Sequence, residues 1–419
     1  MKKLAFVFFI ILVSCTSELP LDSGERNGDF DIPLSDALST LTEFLESENL
    51  HTKASSIKDG RFYAKKWNAK SGTKGSDTSP ASLYCIDFSN NLGSAVLAAD
   101  DRIPDKILCV TDSGKILPED LDDAYTLILS NPSSSQPFDD CDNYTIGGCD
   151  ESFANILLCR RALSADYNNA HSDINNGSRD NVPLNKFGPL LHTKWGQSGP
   201  FNRLMNGSPV GCVPVASAQL IYHFHDSIEV DPWFFEKKCS WDTIGTVRHY
   251  LSSSYIGTEE AQNQVSHFMY EVKLKCNMQP SQRSGTASGV EACMQHFGFV
   301  DIYHDFAHFG GNAHDDKHLD DVIEMIKKKK PVIMLAYCMH GWPWDWSGHA
   351  YVIDGYKSDS TGEYLHINWG WNGVQDGYYA VGCFDESNRA GIEDGVDSGD
   401  NDSDPSNFDM FHYYVHYEI

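Results

Sequence analysis

The sequence has few basic residues. It holds 32 Lys and Arg against 59 Asp and Glu, so the formal net charge of the 419-residue chain is −27. Nucleic acids and anionic membranes are negatively charged and bind basic surfaces. The charge balance therefore excludes nucleic acid as a partner, and it also excludes attachment to an anionic membrane through surface charge.

Metal-binding cysteine motifs are also missing. The twelve cysteines form no Cys-x-x-Cys pair and show no Cys/His spacing typical of a zinc site. We therefore expect no metal, no cofactor and no disulfide framework. Cys141 and Cys149 are close enough to close a small loop in an oxidising compartment, and the other cysteines are by default buried thiols.

The apolar run near the N-terminus, Leu4–Val13, is too short to span a bilayer, which takes roughly 20 helical residues. It follows a basic start, so residues 1–14 are predicted to be an export signal. The run ends in Leu12-Val13-Ser14-Cys15, which resembles a bacterial lipobox. Cys15 is therefore predicted to be lipidated, and residues 15–31 to form a flexible tether. The alternative is an ordinary secretory signal that is cleaved near by.

The remainder of the chain divides into two parts joined by a linker. Residues 32–165 carry short strand patterns and helical segments, which predict a small α+β domain without evident chemistry. Residues 166–185 form a polar, Asn-rich stretch that includes Asn175-Asn176-Gly177-Ser178 and predict a linker. Residues 186–419 show helical patterns first and strand patterns afterwards, an order that indicates an α+β fold with an antiparallel sheet.

Hydrophobic periodicity places the elements more closely. In the second part it predicts helices at 212–225, 259–273, 289–297 and 318–329, and strands at 332–337, 350–356, 363–368 and 377–381. In the first part it predicts strands at 62–64, 82–88, 94–99 and 106–110 and a helix near 152–165. Ser35 is predicted to cap a further helix in the first part.

Cys212 is the first candidate for chemistry. It stands where the loop before it turns into a helix, and Pro214 is tolerated only in a first helical turn. A helix N-terminus favours thiolate, which is the nucleophilic form of cysteine. The competing interpretation is a buried structural cysteine.

Three further sequence positions could complete a thiol-dependent site. His349 opens a predicted strand directly after a glycine and could act as the base, with His340 as a competing histidine. Asn368 could orient the imidazole, and Trp369 could shield that bond from water. Gln197 could donate to a developing oxyanion together with the backbone N–H of Cys212.

The order Gln, Cys, His, Asn-Trp-Gly is that of papain-like cysteine peptidases, and the sequence resembles the streptopain family most closely. The resemblance covers about 190–385. It is carried by Trp195-Gly196-Gln197, Gly211-Cys212-Val213 with Ala216-Ser217-Ala218-Gln219, Gly285-Thr286-Ala287, Gly348-His349-Ala350 and Asn368-Trp369-Gly370-Trp371. The first part resembles the inhibitory pro-domain of that family through Ala98-Ala99-Asp100-Asp101-Arg102.

The resemblance implies a two-lobed catalytic domain at 186–419, with one helical lobe and one antiparallel β-sheet lobe. It also implies a zymogen whose pro-domain, 32–165, acts as an intramolecular inhibitor and is removed within 166–185. Protein or peptide substrates would be cut by Cys212 as nucleophile and His349 as base. Gln197 would help to form the oxyanion hole, and Asn368 and Trp369 would support the imidazole.

Two features depart from the family pattern. Pro214 stands where the family more often has a small residue, but a first-turn amide is unpaired in any case. The acidic segment 385–409 begins like an EF-hand loop, yet Pro405 occupies the glycine position, so we favour a solvated loop over a calcium site.

Three functions remain open from the sequence. The first is an exported, lipid-anchored bacterial cysteine endopeptidase at the outer membrane or cell surface, retained or released after maturation. The membrane contact would then be the lipid anchor only. The others are an amidase or acyltransferase that uses the same pair of residues, and a surface lipoprotein that binds a protein or glycan and has lost activity.

Overall fold

The computed structural model describes residues 30–68, 81–130, 152–163, 184–247, 257–306, 317–340, 345–384 and 410–419. Several sequence predictions lie outside these ranges. They are the signal peptide, the lipidation of Cys15, the loop between Cys141 and Cys149, nearly all of the 166–185 linker and the acidic segment 385–409.

The helices of the described ranges are numbered in chain order. They are α1 (Leu34–Ser47), α2 (His51–Lys58), α3 (Pro118–Ser130), α4 (Ser152–Leu163), α5 (Cys212–His223), α6 (Trp241–Ile244), α7 (Glu259–Lys275), α8 (Ala287–His296) and α9 (Lys317–Lys327). None of them is both long and apolar enough to cross a membrane.

The strands are numbered in the same way. They are β1 (Phe62–Asn68), β2 (Ser82–Phe88), β3 (Ser94–Ala98), β4 (Ile107–Thr111), β5 (Asn185–Phe187), β6 (Trp233–Phe234), β7 (Lys237–Lys238), β8 (Val300–Phe306), β9 (Val332–His340), β10 (Asp345–Asp359), β11 (Gly362–Asn368), β12 (Gly377–Ala380) and β13 (Met410–Glu418).

Most predicted elements are confirmed, including the four helices and four strands of the second part. The cap predicted for Ser35 is wrong. Helix α1 begins at Leu34, directly after Pro33, so Ser35 already lies in its first turn. The Ser35 hydroxyl donates to the neighbouring Asp36 carboxylate instead of accepting from a backbone N–H. The fixed φ of proline suits a helix start without a side-chain cap.

Two helices of the first part, α2 and α3, were not predicted. Helix α3 begins with Pro118 and has Glu119 and Asp120 in its first turn, which are recognisable start signals. Helix α2 has only eight residues and contains three polar ones in its middle, so its periodicity is weak.

One antiparallel sheet runs through both parts of the chain. Its strand order is β1-β2-β3-β4-β12-β11-β10-β9-β13-β8, and β5 pairs with β10. The junction lies between β4 and β12, where Thr111, Val110 and Cys109 pair with Gly377, Tyr378 and Tyr379. The predicted pro-domain therefore extends the sheet of the predicted catalytic domain.

Helix α5 lies at the centre of the second part and packs against α7, α8, β9 and β10. Its residues from Cys212 to Ile221 are all buried. A helix that is buried on all sides is expected to be apolar all round. Ser217 and Gln219 are the polar exceptions along its buried length, and each needs an internal partner.

Candidate active site

The Cys212 thiol lies in the first turn of α5. The residue before it, Gly211, has φ of 97°, a conformation that residues with a side chain rarely adopt. An added Cβ there would also come within 3.0 Å of the Arg283 carbonyl oxygen. Gly211 therefore brings the chain sharply into the helix and sets Cys212 against the positive end of the helix dipole.

Other cysteines of the described residues have a different environment. Burial raises the pKa of the Cys85 thiol to about 12 and that of Cys239 to about 11. It also raises the pKa of Cys159, Cys293 and Cys383 well above the ordinary value. Thiols held in the protonated form are poor nucleophiles, so these five cysteines are weaker candidates for the nucleophile than Cys212.

His349 lies in β10, opposite Ala336 of β9, and is fully buried. Its Nε2 is 2.8 Å from the backbone carbonyl oxygen of Trp369. A carbonyl only accepts hydrogen bonds, so Nε2 carries the proton and Nδ1 is the basic nitrogen of the neutral ring. The indole of Trp371 covers the imidazole, with 4.7 Å between the ring centroids.

Asn368 is buried beside this histidine but has other hydrogen-bond partners. Its Oδ1 accepts from Gln219 Nε2 at 2.9 Å and from the Gly370 N–H at 3.1 Å. Its Nδ2 donates to the Thr193 carbonyl at 2.9 Å. The orienting bond expected from Asn368 is supplied by the backbone carbonyl of the next residue, Trp369.

Trp369 is fully buried and stacks on Trp371, with ring centroids 5.2 Å apart. Its indole N–H donates to the Gln375 carbonyl at 3.1 Å, and its backbone N–H donates to Asp376 Oδ1 at 2.9 Å. These bonds hold Trp369 in place. The Gly370 N–H, which shares a peptide plane with the Trp369 carbonyl, donates to Asn368 Oδ1 and helps to fix the direction of that carbonyl. The Trp369 indole was predicted to shield a bond between Asn368 and the imidazole. Its ring centroid is 6.1 Å from that of His349, whereas the centroid of Trp371 is 4.7 Å away.

Gln197 lines a cavity of about 290 Å³ together with Trp371. The Gln197 carbonyl accepts from the Val210 N–H at 2.8 Å, which ties the Gln197 segment to the loop just before Cys212. The full cavity lining is Gln197, Ser198, Asn202, Gly207, Pro209, Trp371 and Asn372.

The loop after Asn368 also approaches α5. Gly370 lies against Val215 in the first turns of α5, where a Cβ added to Gly370 would be 3.0 Å from the valine side chain.

The structure therefore brings the segments of all five predicted residues together around α5. Sequence reasoning missed two residues at this place. Gln219 joins Asn368 to α5, and its position two helical turns after Cys212, on the same helix face, was the available signal. Phe153 comes from a distant part of the chain and had no sequence signal.

Phe153 belongs to α4, within the predicted pro-domain, and is fully buried. Its ring centroid is 5.9 Å from that of His349, 6.0 Å from Trp369 and 6.3 Å from Tyr351. The first part of the chain thus packs directly against the candidate base.

A network of charged side chains joins the two parts farther from Cys212. Asp112, next to β4, accepts from Lys194 at 2.9 Å and lies 3.9 Å from His366 Nε2. His366 Nδ1 is 2.6 Å from Asp354 Oδ1. Burial alone would lower the pKa of His366, but the negative charge of Asp354 and the interaction with Asp112 raise it to about 10.

The same network lowers the pKa of Asp112, whereas it raises that of His366. Burial raises the pKa of this carboxyl, yet the hydrogen bond and charge of His366, together with Lys194, outweigh burial and hold the pKa well below its usual range. The charged form of Asp112 is therefore the one that joins the two parts.

The described residues contain no group of three or more His, Cys, Asp or Glu side chains arranged to hold a metal ion. The chemistry of the site can be derived from Cys212, His349 and the polar groups around them.

The second part of the chain is similar to known cysteine proteases. Residues 195–379 match the model of the Peptidase C10 family. Streptopain of Streptococcus pyogenes is 28% identical over 201 residues, which is 42% of this chain and 46% of streptopain. The thiol protease/hemagglutinin PrtT of Porphyromonas gingivalis is 29% identical over 223 residues, 46% of this chain and 23% of that protein.

The chain matches less than half the length of these curated relatives. Among solved structures, a prointerpain A fragment of Prevotella intermedia aligns with 84% of this chain and 98% of its own, at 20% identity and a TM-score of 0.46. Active interpain A of the same organism aligns with 55% and 94%, at 23% identity and a TM-score of 0.37.

We predict that Asp112→Asn loosens the junction between the two parts in a pH-dependent way. Because its pKa in the structure is lowered, charged Asp112 stabilises the fold above its unfolded pKa of about 3.9, and the effect is lost as the pH falls through the lowered value. The side chain is 36% exposed, so solvent screens the pair and the expected loss at neutral pH is only about 0.5–1 kcal/mol.

The measurement is the melting temperature of the full chain from pH 7 down to pH 3. The difference between wild type and Asp112→Asn should narrow below about pH 4. Asp59→Asn, which removes an exposed pair with Arg61, serves as the control. A difference that does not change with pH would contradict the electrostatic account.

Proposed function

Residues 195–379 belong to the streptopain family of papain-like cysteine peptidases, and on that basis we propose that the protein hydrolyses peptide bonds, with Cys212 as nucleophile and His349 as general base. The observation that carries the proposal is the hydrogen bond between His349 Nε2 and the Trp369 carbonyl. It leaves Nδ1 as the nitrogen that can take a proton from a thiol.

The reaction has two stages. Proton transfer from Cys212 to His349 gives a thiolate, which attacks the carbonyl carbon of the substrate. The carbon–nitrogen bond breaks, the imidazolium protonates the departing amine, and the acyl group stays on sulfur as a thioester. Water then gives a proton to His349 and adds to the thioester, which releases the carboxylic acid and the thiolate.

Gln197 supports the step at which negative charge develops on the substrate oxygen. Gln197 lines the cavity next to the loop that leads into Cys212. Together with the backbone N–H of Cys212 at the start of α5, it would donate to the oxyanion. Asn368 and Trp369 would not contact the substrate. They would act indirectly, by holding the loop in which the Trp369 carbonyl orients His349.

The substrate class we propose is protein. The relatives are named streptopain and thiol protease, and the cavity that Gln197 lines together with Ser198 and Trp371 offers polar and aromatic residues that suit a peptide backbone. A narrower amidase, or an acyl transferase, would use the same first stage.

We propose further that the chain is a zymogen. Two contacts support it: Phe153 packs on His349 and Trp369, and β4 pairs with β12. With the first part in place, the candidate base has an aromatic side chain against it, and cleavage within 166–185 would allow that side chain to leave.

We predict that Cys212→Ala abolishes hydrolysis. The measurement is digestion of casein by the purified chain 16–419 under reducing conditions at neutral pH, and the expected loss is at least about 10³-fold, because no other group replaces the nucleophile. The size of the chain itself, followed on the same gel, reports whether the segment before 166–185 is removed.

Cys239→Ala is the matched control, since this thiol is buried away from the site and its pKa is raised. It should cut like the wild type. If the wild type cuts neither casein nor itself, even after limited trypsin treatment, the amidase or binding-protein function takes the place of the peptidase.

The contact between Phe153 and His349 generates a second prediction. Phe153→Ala should raise the rate at which iodoacetamide alkylates Cys212 in the unprocessed chain by about 2–10-fold, since an aromatic pair is worth about 0.5–1.5 kcal/mol. Mass spectrometry assigns the label to Cys212.

Phe88→Ala controls for general loosening of the first part, because Phe88 is equally buried there and belongs to β2. Equal alkylation of the two variants would mean that Phe153 has no specific role in covering the site.

The location of the protein is also a proposal. The basic and apolar N-terminal run and the sequence before Cys15 support export and lipid attachment at the bacterial outer membrane or cell surface. A lipid chain would be the sole membrane contact, and the mature domain would be retained or released according to where the chain is cut.

Cells that express the full chain are grown with an alkyne-labelled fatty acid, and the label on the purified protein is measured. We expect the wild type to carry the label and Cys15→Ser to lack it. The buried Cys85 provides the control variant Cys85→Ser, which should still be labelled. Equal labelling of the wild type and Cys15→Ser would favour an ordinary secretory signal.

A further inference from the structure

Gln219 is a fully buried polar residue on the helix of the nucleophile. It follows Cys212 by seven residues, which is close to two helical turns, so both residues lie on the same face of α5. Burying an amide without partners would cost free energy, and the structure supplies partners for both ends of this one.

The oxygen of Gln219 binds the segment that leads to Gln197. Oε1 accepts from the Thr193 hydroxyl at 2.9 Å and from the Trp195 N–H at 3.2 Å. Trp195 is itself fully buried, and its indole N–H donates to the Val247 carbonyl at 2.7 Å. The segment 193–197 is therefore held to α5 at the level of Gln219.

The nitrogen of Gln219 binds the segment that holds the base. Nε2 donates to Asn368 Oδ1 at 2.9 Å, and the same oxygen accepts from the Gly370 N–H. Trp369, between these two residues, provides the carbonyl that holds His349 Nε2. One side chain thus connects α5 with both segments that complete the site.

We propose that Gln219 is a positioning residue for catalysis: it sets the oxyanion segment 193–197 and the imidazole loop 368–371 at a fixed distance from Cys212. The inference rests on the proposed peptidase function. Gln219 does not touch the reacting atoms, so it acts through Trp195 and Asn368.

An amide is required at this position because the two contacts differ in kind. The 193–195 contacts need an acceptor, and the Asn368 contact needs a donor. Asn368 is not free to turn round, since its own nitrogen is used by the Thr193 carbonyl. A methionine of similar length would fill the space and supply none of these bonds.

The test compares Gln219→Met with Gln264→Met. Both variants are made as the full chain, and their activity is measured after cleavage within 166–185. Gln264 is a matched control: it is buried on α7, its Oε1 accepts from the Ser240 N–H, and its Nε2 donates to Glu260. Both variants should lower the melting temperature.

Only Gln219→Met should lower kcat, by about 10²-fold with little change in KM, because small misplacements of catalytic groups have effects of that size. The pH profile of Cys212 alkylation should also move toward that of an ordinary thiol, whose pKa is about 8.5, as the imidazole loses its fixed position. A kcat and an alkylation profile equal to those of Gln264→Met would overturn the proposal.

Thr193→Val keeps the test decisive if Gln219→Met does not fold. It removes one hydrogen bond to Gln219 with little change of shape, so kcat should fall by about 2–10-fold. Where both variants fold, the loss in the double variant should be smaller than the product of the single losses, because both changes act on one network. An unchanged kcat in Thr193→Val would also overturn the proposal.

Failure of the peptidase function is a separate outcome. In that case the wild type hydrolyses no peptide substrate and Cys212→Ala behaves in the same way. The alkylation profile of Cys212 still tests the positioning role, since it needs no substrate.

Discussion

The burial of α5 determines how the rest of the site is built. From Cys212 to Ile221 the helix is enclosed by protein, so every polar atom on it must be paired internally. The amide of Gln219 meets this requirement by binding two separate segments. One is segment 193–197, which includes Gln197, and the other is loop 368–371, whose Trp369 carbonyl binds His349. The hydrogen bonds that satisfy the buried amide of Gln219 are thus the same ones that hold the two segments of the candidate site to α5.

Local sequence signals were sufficient for the parts of the site that depend on residue type. A proline in the first turn marked the start of α5, and a glycine before it allowed the positive φ of the entry. Cys212 and His349 could be selected because few types of side chain act as a nucleophile or as a base near neutral pH. The carbonyl that orients His349 could not be predicted, since every residue has one, and only the fold determines that the carbonyl of Trp369 faces the ring.

The sequence also could not predict that the two parts form one sheet, and the reason is similar. Strands β4 and β12 were each predicted, but their pairing links Val110 with Tyr378, and nothing in either strand identifies a partner so distant in the chain. Tertiary contacts of this kind also explain Phe153, whose α4 was predicted as a helix while its contact with His349 was not. The helix boundary at Ser35 failed for a local reason, because Pro33 already begins the turn.

The pairing of β4 with β12 has a consequence for the shape of the protein after cleavage. Loss of the first part would turn β12 from an interior strand into the outer strand of its sheet. The backbone groups of Gly377–Tyr379 that now bind Cys109–Thr111 would then face solvent. An open strand of this kind can accept another extended chain, although its shortness limits how far such pairing could spread. The proposed removal of the first part, which would take Phe153 away from His349, would thus also create a backbone edge able to receive a peptide.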